Sequence, residues 1–205
     1  MSRERLQSGA GLVQAAVQIV GTRPLIWHSF GPDAIPLGRR ERTGVAGNDP
    51  EEWRRTVLYT ADRQIYLRPE AVYACLREGA RYTRKGRGSV QPAVAATLQV
   101  WGDAILIDRY LPADPLPRDP QAAVYLDVRP VKNPSNRAAN IRYRVACSAG
   151  WRTKFCLLWD PVIVDRAVME AVAIDAGRFV GLGDGRKIGF GRFEVETFVV
   201  SDAHA

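Results

Sequence analysis

The sequence predicts an α+β fold, two helices packed on an antiparallel sheet in the order strand, helix, strand, strand, helix, strand. Three observations carry that prediction. Val13, Ala15, Val17 and Ile19 alternate with Gln14, Ala16 and Gln18, the period of two of a strand with one wet face. Thr153, Phe155, Leu157 and Trp159 alternate in the same way with Arg152 and Lys154 on the other side. Two segments show helical spacing, one beginning at Pro69 and one after Asp160-Pro161.

The elements follow in order. Residues 21–24 break the first strand, and LIWHSF follows. Residues 31–50, GPDAIPLGRRERTGVAGNDP, are rich in Gly and Pro and read as a long loop carrying Arg39, Arg40 and Arg42. Residues 64–67 make a short strand. Ala71, Val72, Cys75, Leu76 and Gly79 then keep the i, i+3, i+4 spacing of a helix that ends near Thr83. RKGRGS is a basic turn. Residues 95–100 and 104–108 read as a hairpin around Trp101-Gly102-Asp103. Four prolines between Pro112 and Pro120 make that stretch a turn within the domain. Residues 123–131 and 140–147 are strand-like and, joined by KNPSNRAA, form a projecting basic hairpin.

The second helix, over about 162–176, buries Val164, Val168, Ala171 and Val172 and turns Arg166 and Glu170 outward, four apart and able to pair. The last strand, 190–199, alternates Phe193, Val195 and Thr197 with Arg192, Glu194 and Glu196. With the hairpins set aside as insertions, the order is the split βαβ pattern of a ferredoxin-like domain, which RRM-type RNA binders share. The expected organisation is a disordered N-terminus over 1–11, one domain over 12–200 with insertions at about 31–56 and 109–150, and a tail over 201–205.

Composition narrows the function. The chain has 205 residues and a formal net charge of +7. No apolar run approaches the ~20 residues of a membrane span, and the first residues do not read as a signal peptide, so the expected compartment is the cytoplasm. Cys75, Cys147 and Cys156 are odd in number and form no C-x-x-C pair, as expected of reduced thiols. His28 and His204 are the only histidines, which argues against a His-rich metal site; no metal or cofactor is expected. The charge is unevenly spread. Residues 128–159 hold no acid but carry Arg129, Lys132, Arg137, Arg142, Arg144, Arg152 and Lys154. Residues 79–102 hold no acid and carry Arg81, Arg84, Lys85 and Arg87. One-sided stretches of this kind favour a polyanionic partner. Tyr143, between Arg142 and Arg144, is the aromatic best placed to stack on a base, whereas Trp151 and Trp159 fit the core.

The segment GLGDGRKIGFG, residues 181–191, holds five glycines with Arg186 and Lys187 among them, Arg178 before and Arg192 after. It lacks the G-K-[ST] of a Walker A loop, and it closes a helix where a dinucleotide fingerprint would open one. Glycines let a backbone approach a phosphodiester chain and aim amides at it. A Gly cap and a tight packing contact would explain one or two of them. The candidate nucleic-acid-binding set is Arg178, Gly181, Gly183, Arg186, Lys187, Gly189, Gly191 and Arg192, with Arg129, Lys132, Arg137, Arg142, Tyr143 and Arg144 of the hairpin.

GLGDGRKIGFGRFEV resembles the glycine-rich loop and following strand of the RAMP superfamily, the RNA-binding proteins of CRISPR–Cas effectors: G-x-G, about five residues, G-x-G, at the end of a ferredoxin-like domain. The resemblance is closest to compact single-domain relatives of the backbone subunits that coat guide RNA, and small phage and prophage proteins look similar. GTRPLIWHSF and VRPVKNPSNRAANIRYR support it, and it spans most of residues 13–198. It implies binding of single-stranded guide RNA along its backbone in antiviral defence. It also implies copies of the chain stacked in a filament, other effector-complex subunits as neighbours, and a complementary target strand. The 31–50 loop or the 129–147 hairpin would reach over the neighbouring copy.

Catalytic alternatives rest on single residues. Some RAMP proteins process guide RNA with a histidine, and His28 is the candidate; a His in LIWHSF equally fits a strand-end residue. Asp33 resembles the acidic residue with which some backbone subunits cut target RNA, and an Asp in a Gly/Pro loop equally serves a turn. The alternatives left open are a phage or plasmid single-stranded DNA-binding protein, a guide-RNA endoribonuclease using His28, and an assembly protein whose basic face meets another protein.

Overall fold

A computed structural model of the chain describes residues 11–29, 49–132 and 139–202. Asp33, Arg137, Arg39, Arg40, Arg42 and His204 lie outside the described residues, as do 1–10 and most of the 31–50 loop.

β1 (Val13–Gly21) is followed by the short β2 (Leu25–Ile26), α1 (Trp53–Thr56) and β3 (Gln64–Leu67). α2 (Pro69–Gly79) opens with its proline in the first turn and leads to a two-stranded ribbon, β4 (Arg84–Lys85) and β5 (Gly88–Ser89). α3 (Gln91–Thr97), β6 (Gln99–Trp101) and β7 (Ile105–Tyr110) come next, then the hairpin β8 (Val124–Lys132) and β9 (Ala139–Cys147). β10 (Arg152–Trp159), α4 (Arg166–Asp175), a π-helical turn (Ala176–Val180), a 3-10 turn (Arg186–Ile188) and β11 (Phe193–Asp202) complete the order.

The main sheet runs β11-β1-β10-β7-β3, with β6 also on β10, and every pairing is antiparallel. Taking β6 and β7 as one strand and setting aside the edge strand β3, four strands remain in the order β11-β1-β10-β6/β7. Their spatial order is that of a ferredoxin-like domain, as the sequence predicts. The alternation holds where it was read: Val13, Ala15, Val17 and Ile19 pack with Phe155, Leu157 and Trp159 in one core. Val72, Cys75 and Leu76 of α2 and Met169, Val172 and Ala173 of α4 fill the same core, so both helices cover one face. Trp27, Trp151 and Trp159 are fully buried, and each indole N–H reaches a carbonyl: Tyr66 O at 2.9 Å, Arg23 O at 2.9 Å and Val164 O at 2.8 Å.

Three readings of the sequence are corrected. The expected hairpin over 95–108 does not form. Gln99 pairs with Leu158, Trp101 with Cys156 and Ile107 with Thr153, so β6 and β7 run the same way along β10 as one interrupted strand. Gly102, at φ +103°, makes the interruption without reversing the chain, and residues 91–97 are helical. The second helix starts at Arg166 rather than 162. Asp160 accepts from the Val162 amide at 2.8 Å in a turn, while Asp165 caps the helix by accepting from Ala167 N at 2.9 Å. Met169 and Ala173 join Val172 as its buried face, and Arg166 pairs with Asp202 at 2.9 Å rather than with Glu170. In β11 the register slips between Gln18 and Ile19 of β1, so Thr197 turns outward and Phe198 and Val200 take the core side. β8 and β9 pair antiparallel as read, and β9 adds to β2 in a second sheet, β2-β9-β8; the connection over 133–138 lies outside the described residues.

Among the described residues no helix is long and apolar enough to cross a membrane. Burial pushes the Cys75 and Cys147 thiols up to about 12, which leaves neither a usable nucleophile near neutrality.

Candidate nucleic-acid interface

The glycine loop lies between the π-helical turn and β11, folded against β2. Asp184 N donates to Ile26 O at 2.9 Å, Gly191 N to Pro24 O at 2.8 Å and Leu182 N to Gly191 O at 2.9 Å. Gly181, Gly183, Gly185, Gly189 and Gly191 all have positive φ, between +68° and +91°. Close internal packing accounts for most of them. A Cβ on Gly191 would sit 1.8 Å from Leu182 O, one on Gly183 2.5 Å from Ile26 O, and one on Gly181 2.7 Å from Phe190 O. Around Gly189 a Cβ would meet nothing within 4 Å, so that glycine is held by its backbone angle alone. The loop's backbone is therefore largely engaged with its own protein. What it offers outward is side chains: Lys187 and Ile188 are exposed, and Arg186 is half-buried beside Glu78 at 3.3 Å. Arg178, in the π-helical turn, is exposed; Arg192 is half-buried, with Nη1 lacking a hydrogen-bond partner among the described residues.

The hairpin cations are placed differently. Arg142 and Arg144, two apart on β9, share a face, and both are buried. Glu52, just before α1, accepts from Arg142 Nε at 3.0 Å and, through its other oxygen, from the same guanidinium, and from the Tyr143 amide at 3.1 Å. Arg144 donates to Asp184 of the glycine loop at 2.5 Å and to Asp127, its cross-strand partner, at 3.4 Å. Arg129 grips Asp127 with two nitrogens and stacks over the Phe190 ring at 4.5 Å. Arg129, Arg142 and Arg144 thus face Glu52, Asp127 and Asp184, three cations against three carboxylates. The network clips the hairpin to α1 and to the glycine loop and adds no net charge to the surface. Lys132, by contrast, is exposed near the hairpin's end. Tyr143 borders an open cleft lined also by Trp53, Arg54 and Leu126.

His28 stands beside this network. Arg142 donates to its ring, 3.0 Å from Nε2. Burial, and then the positive charge of Arg142, lower the imidazole pKa from its usual 6.5, against the opposing pull of Asp184 and Glu52. The ring is therefore neutral at pH 7. Neutral imidazole is a fit state for a general base, but among the described residues the cation against its ring, Arg142, is already bound by Glu52 and shielded from water, so it is poorly placed to hold a pentavalent phosphorus. A stability prediction follows. As pH falls below 6.5 the unfolded chain takes up the His28 proton before the folded chain does, so stability is full above 6.5 and declines through the lowered folded value. The thermal midpoint is expected to drop as pH falls below the ordinary imidazole value of 6.5, and His28→Asn to flatten that slope. Asp184 is the counterpart. Burial works to raise its pKa, but the Gly185 amide and Arg144 outweigh it and hold the carboxyl below its usual range.

One feature of this surface escaped the sequence reading. Tyr82 and Phe179 are exposed and in contact, with ring centroids 5.0 Å apart. Each follows an arginine, Arg81 and Arg178, the same interleaving that singled out Tyr143. Trp101 is also exposed, on β6. Among the described residues no group of three or more His, Cys, Asp or Glu is placed to hold a metal ion.

The strand order, the two helices on one face and the inserted hairpin define a ferredoxin-like α+β fold. No protein-family model matches the chain, and no curated protein does. Among solved structures, a chain in the cryo-EM structure of the Type III-B Cmr-beta complex bound to cognate target RNA is similar, with a TM-score of 0.53 and 11% identity. The match covers 95% of this chain and 62% of that one, so this chain spans less than two thirds of its neighbour. At that identity the likeness is one of fold.

Proposed function

We propose that the chain is a non-catalytic, single-stranded RNA-binding protein of the RAMP type, a repeating subunit that coats guide RNA in a CRISPR-type ribonucleoprotein in the cytoplasm. The observation that carries this reading is the fold likeness over 95% of the chain to a component of an RNA-bound Type III-B complex. The spacing of the glycine loop and the net charge of +7 support it. In this reading the exposed Arg178 and Lys187 meet phosphates, together with the half-buried Arg186 and Arg192. Lys132 extends the contact along the hairpin, and the glycine loop is the rigid mount for these side chains. Arg129, Arg142 and Arg144 act indirectly, by holding the hairpin against that mount.

Binding of nuclease-treated protein to labelled single-stranded RNA and DNA, across a salt series, tests the reading. RNA is expected to bind more tightly, with affinity falling steeply as salt rises. Arg178→Ala and Lys187→Ala are each expected to weaken all sequences alike and to reduce the salt slope by about 0.7. DNA bound as tightly as RNA would favour a phage or plasmid single-strand-binding protein. RNA cleavage by the parent that His28→Ala abolishes would favour an endoribonuclease.

A further inference from the structure

We propose that Tyr82 and Phe179 form a separate stacking platform for a base of single-stranded nucleic acid, bordered by Arg178 and by the four cations of residues 81–87. The platform rests on the RNA-binding reading and adds to it a site away from the hairpin. It is built by a close approach of two elements. α2 ends at Gly79, where a Cβ would lie 2.6 Å from the Ala176 Cα, so only glycine lets the π-helical turn come this near. Gly177 lies as tightly against β11, with a Cβ position 2.2 Å from Phe193 O. Tyr82 N donates to Gly79 O at 2.8 Å and Thr83 Oγ1 to Asp175 Oδ2 at 2.6 Å, which fixes the turn after α2 to the end of α4. The two rings are then set against each other, tilted by 39°.

Their exposure distinguishes this pair from core aromatics: Tyr82 is 51% and Phe179 45% exposed. Arg178 lies 5.6 Å from the Phe179 ring centroid, and Arg81, Arg84, Lys85 and Arg87 are all exposed. Among the described residues none of these five cations forms an ion pair. The nearby carboxylates are already engaged, Asp175 with Thr83 and Glu78 with Arg186. Exposed rings alone would suit an apolar partner, and free cations alone an acidic one. Exposed π-faces with Arg178 against one ring, and unpaired cations in the segment that carries the other, suit a base joined to phosphates. A π-helical turn at such a place is consistent with a functional position.

The test uses the full chain and a labelled oligouridylate. Tyr82→Ala/Phe179→Ala is expected to weaken binding about tenfold or more while leaving the salt slope unchanged. Tyr82→Phe/Phe179→Tyr is expected to bind as the parent does. Arg84→Gln/Lys85→Gln/Arg87→Gln is expected to reduce the salt slope by about 2. A parent that binds and an alanine pair that binds equally well would overturn the platform and leave the RNA-binding reading standing. A parent with no affinity at low salt would overturn both. Should the alanine pair fold poorly, crosslinking of 5-iodouridine RNA to the parent decides: adducts on Tyr82 or Phe179 support the platform, and adducts only elsewhere refute it.

Discussion

Replacing Glu52 by alanine is expected to destabilise the fold by about 3–5 kcal/mol, the usual consequence of leaving a buried charge without its partner. Glu52 is 5% and Arg142 8% exposed, so water cannot readily replace the lost carboxylate. Tyr143 N would lose its acceptor as well. For a chain of this size the loss corresponds to a thermal midpoint lower by roughly 10 °C. Adding Arg142→Met should recover much of it, because an apolar side chain of similar volume needs no counter-charge. A Glu52→Ala protein that melts with the parent would show that the ion pair is not sealed from solvent.

Gly191→Ala is the second large effect. The left-handed φ of +68° alone costs an alanine about 1–2 kcal/mol. The overlap of its Cβ with the Leu182 carbonyl adds about 1–3 kcal/mol more, because backbone rather than a flexible side chain must give way. Gly189→Ala provides the contrast: its φ, +91°, is also positive, but the space beside it is open, so only the backbone cost, about 1–2 kcal/mol, applies. Comparing the two thermal midpoints separates tight internal packing from backbone angle. Equal losses would mean that packing at Gly191 contributes nothing.

That contrast also revises what five glycines signify. From the sequence they suggest a backbone laid against a phosphodiester chain. In the structure, Gly181, Gly183 and Gly191 instead let the loop pass close to its own carbonyls and to those of β2. Linear spacing cannot distinguish an external strand from an internal one as the thing approached.

The same limit explains the hairpin. Residues 128–159 hold no acid along the chain, yet they are not free of acids in space. Arg142 meets Glu52 from 90 positions away, and Arg144 meets Asp184 from 40. Only tertiary contact reveals those pairs. Local patterns were more legible. The alternation from Thr153 to Trp159 and the paired strands of 124–147 reflect which face of a strand meets the core, and each appears as read. Turn chemistry was ambiguous where two signals compete. Trp101-Gly102-Asp103 carries the residues of a reversal but interrupts a strand, and Asp160-Pro161 carries the residues of a helix start but makes a turn ahead of the true cap, Asp165. The Tyr82–Phe179 pair joins residues nearly a hundred positions apart, so its geometry had no linear signature.

The central claim is that copies of this chain coat single-stranded RNA. Native mass measurement of the protein on RNAs of graded length tests it most directly. The account predicts complexes whose mass rises by whole protomers as the RNA lengthens, at low salt and with RNA rather than DNA. A complex that holds one protomer whatever the RNA length, or no complex at all, would contradict it.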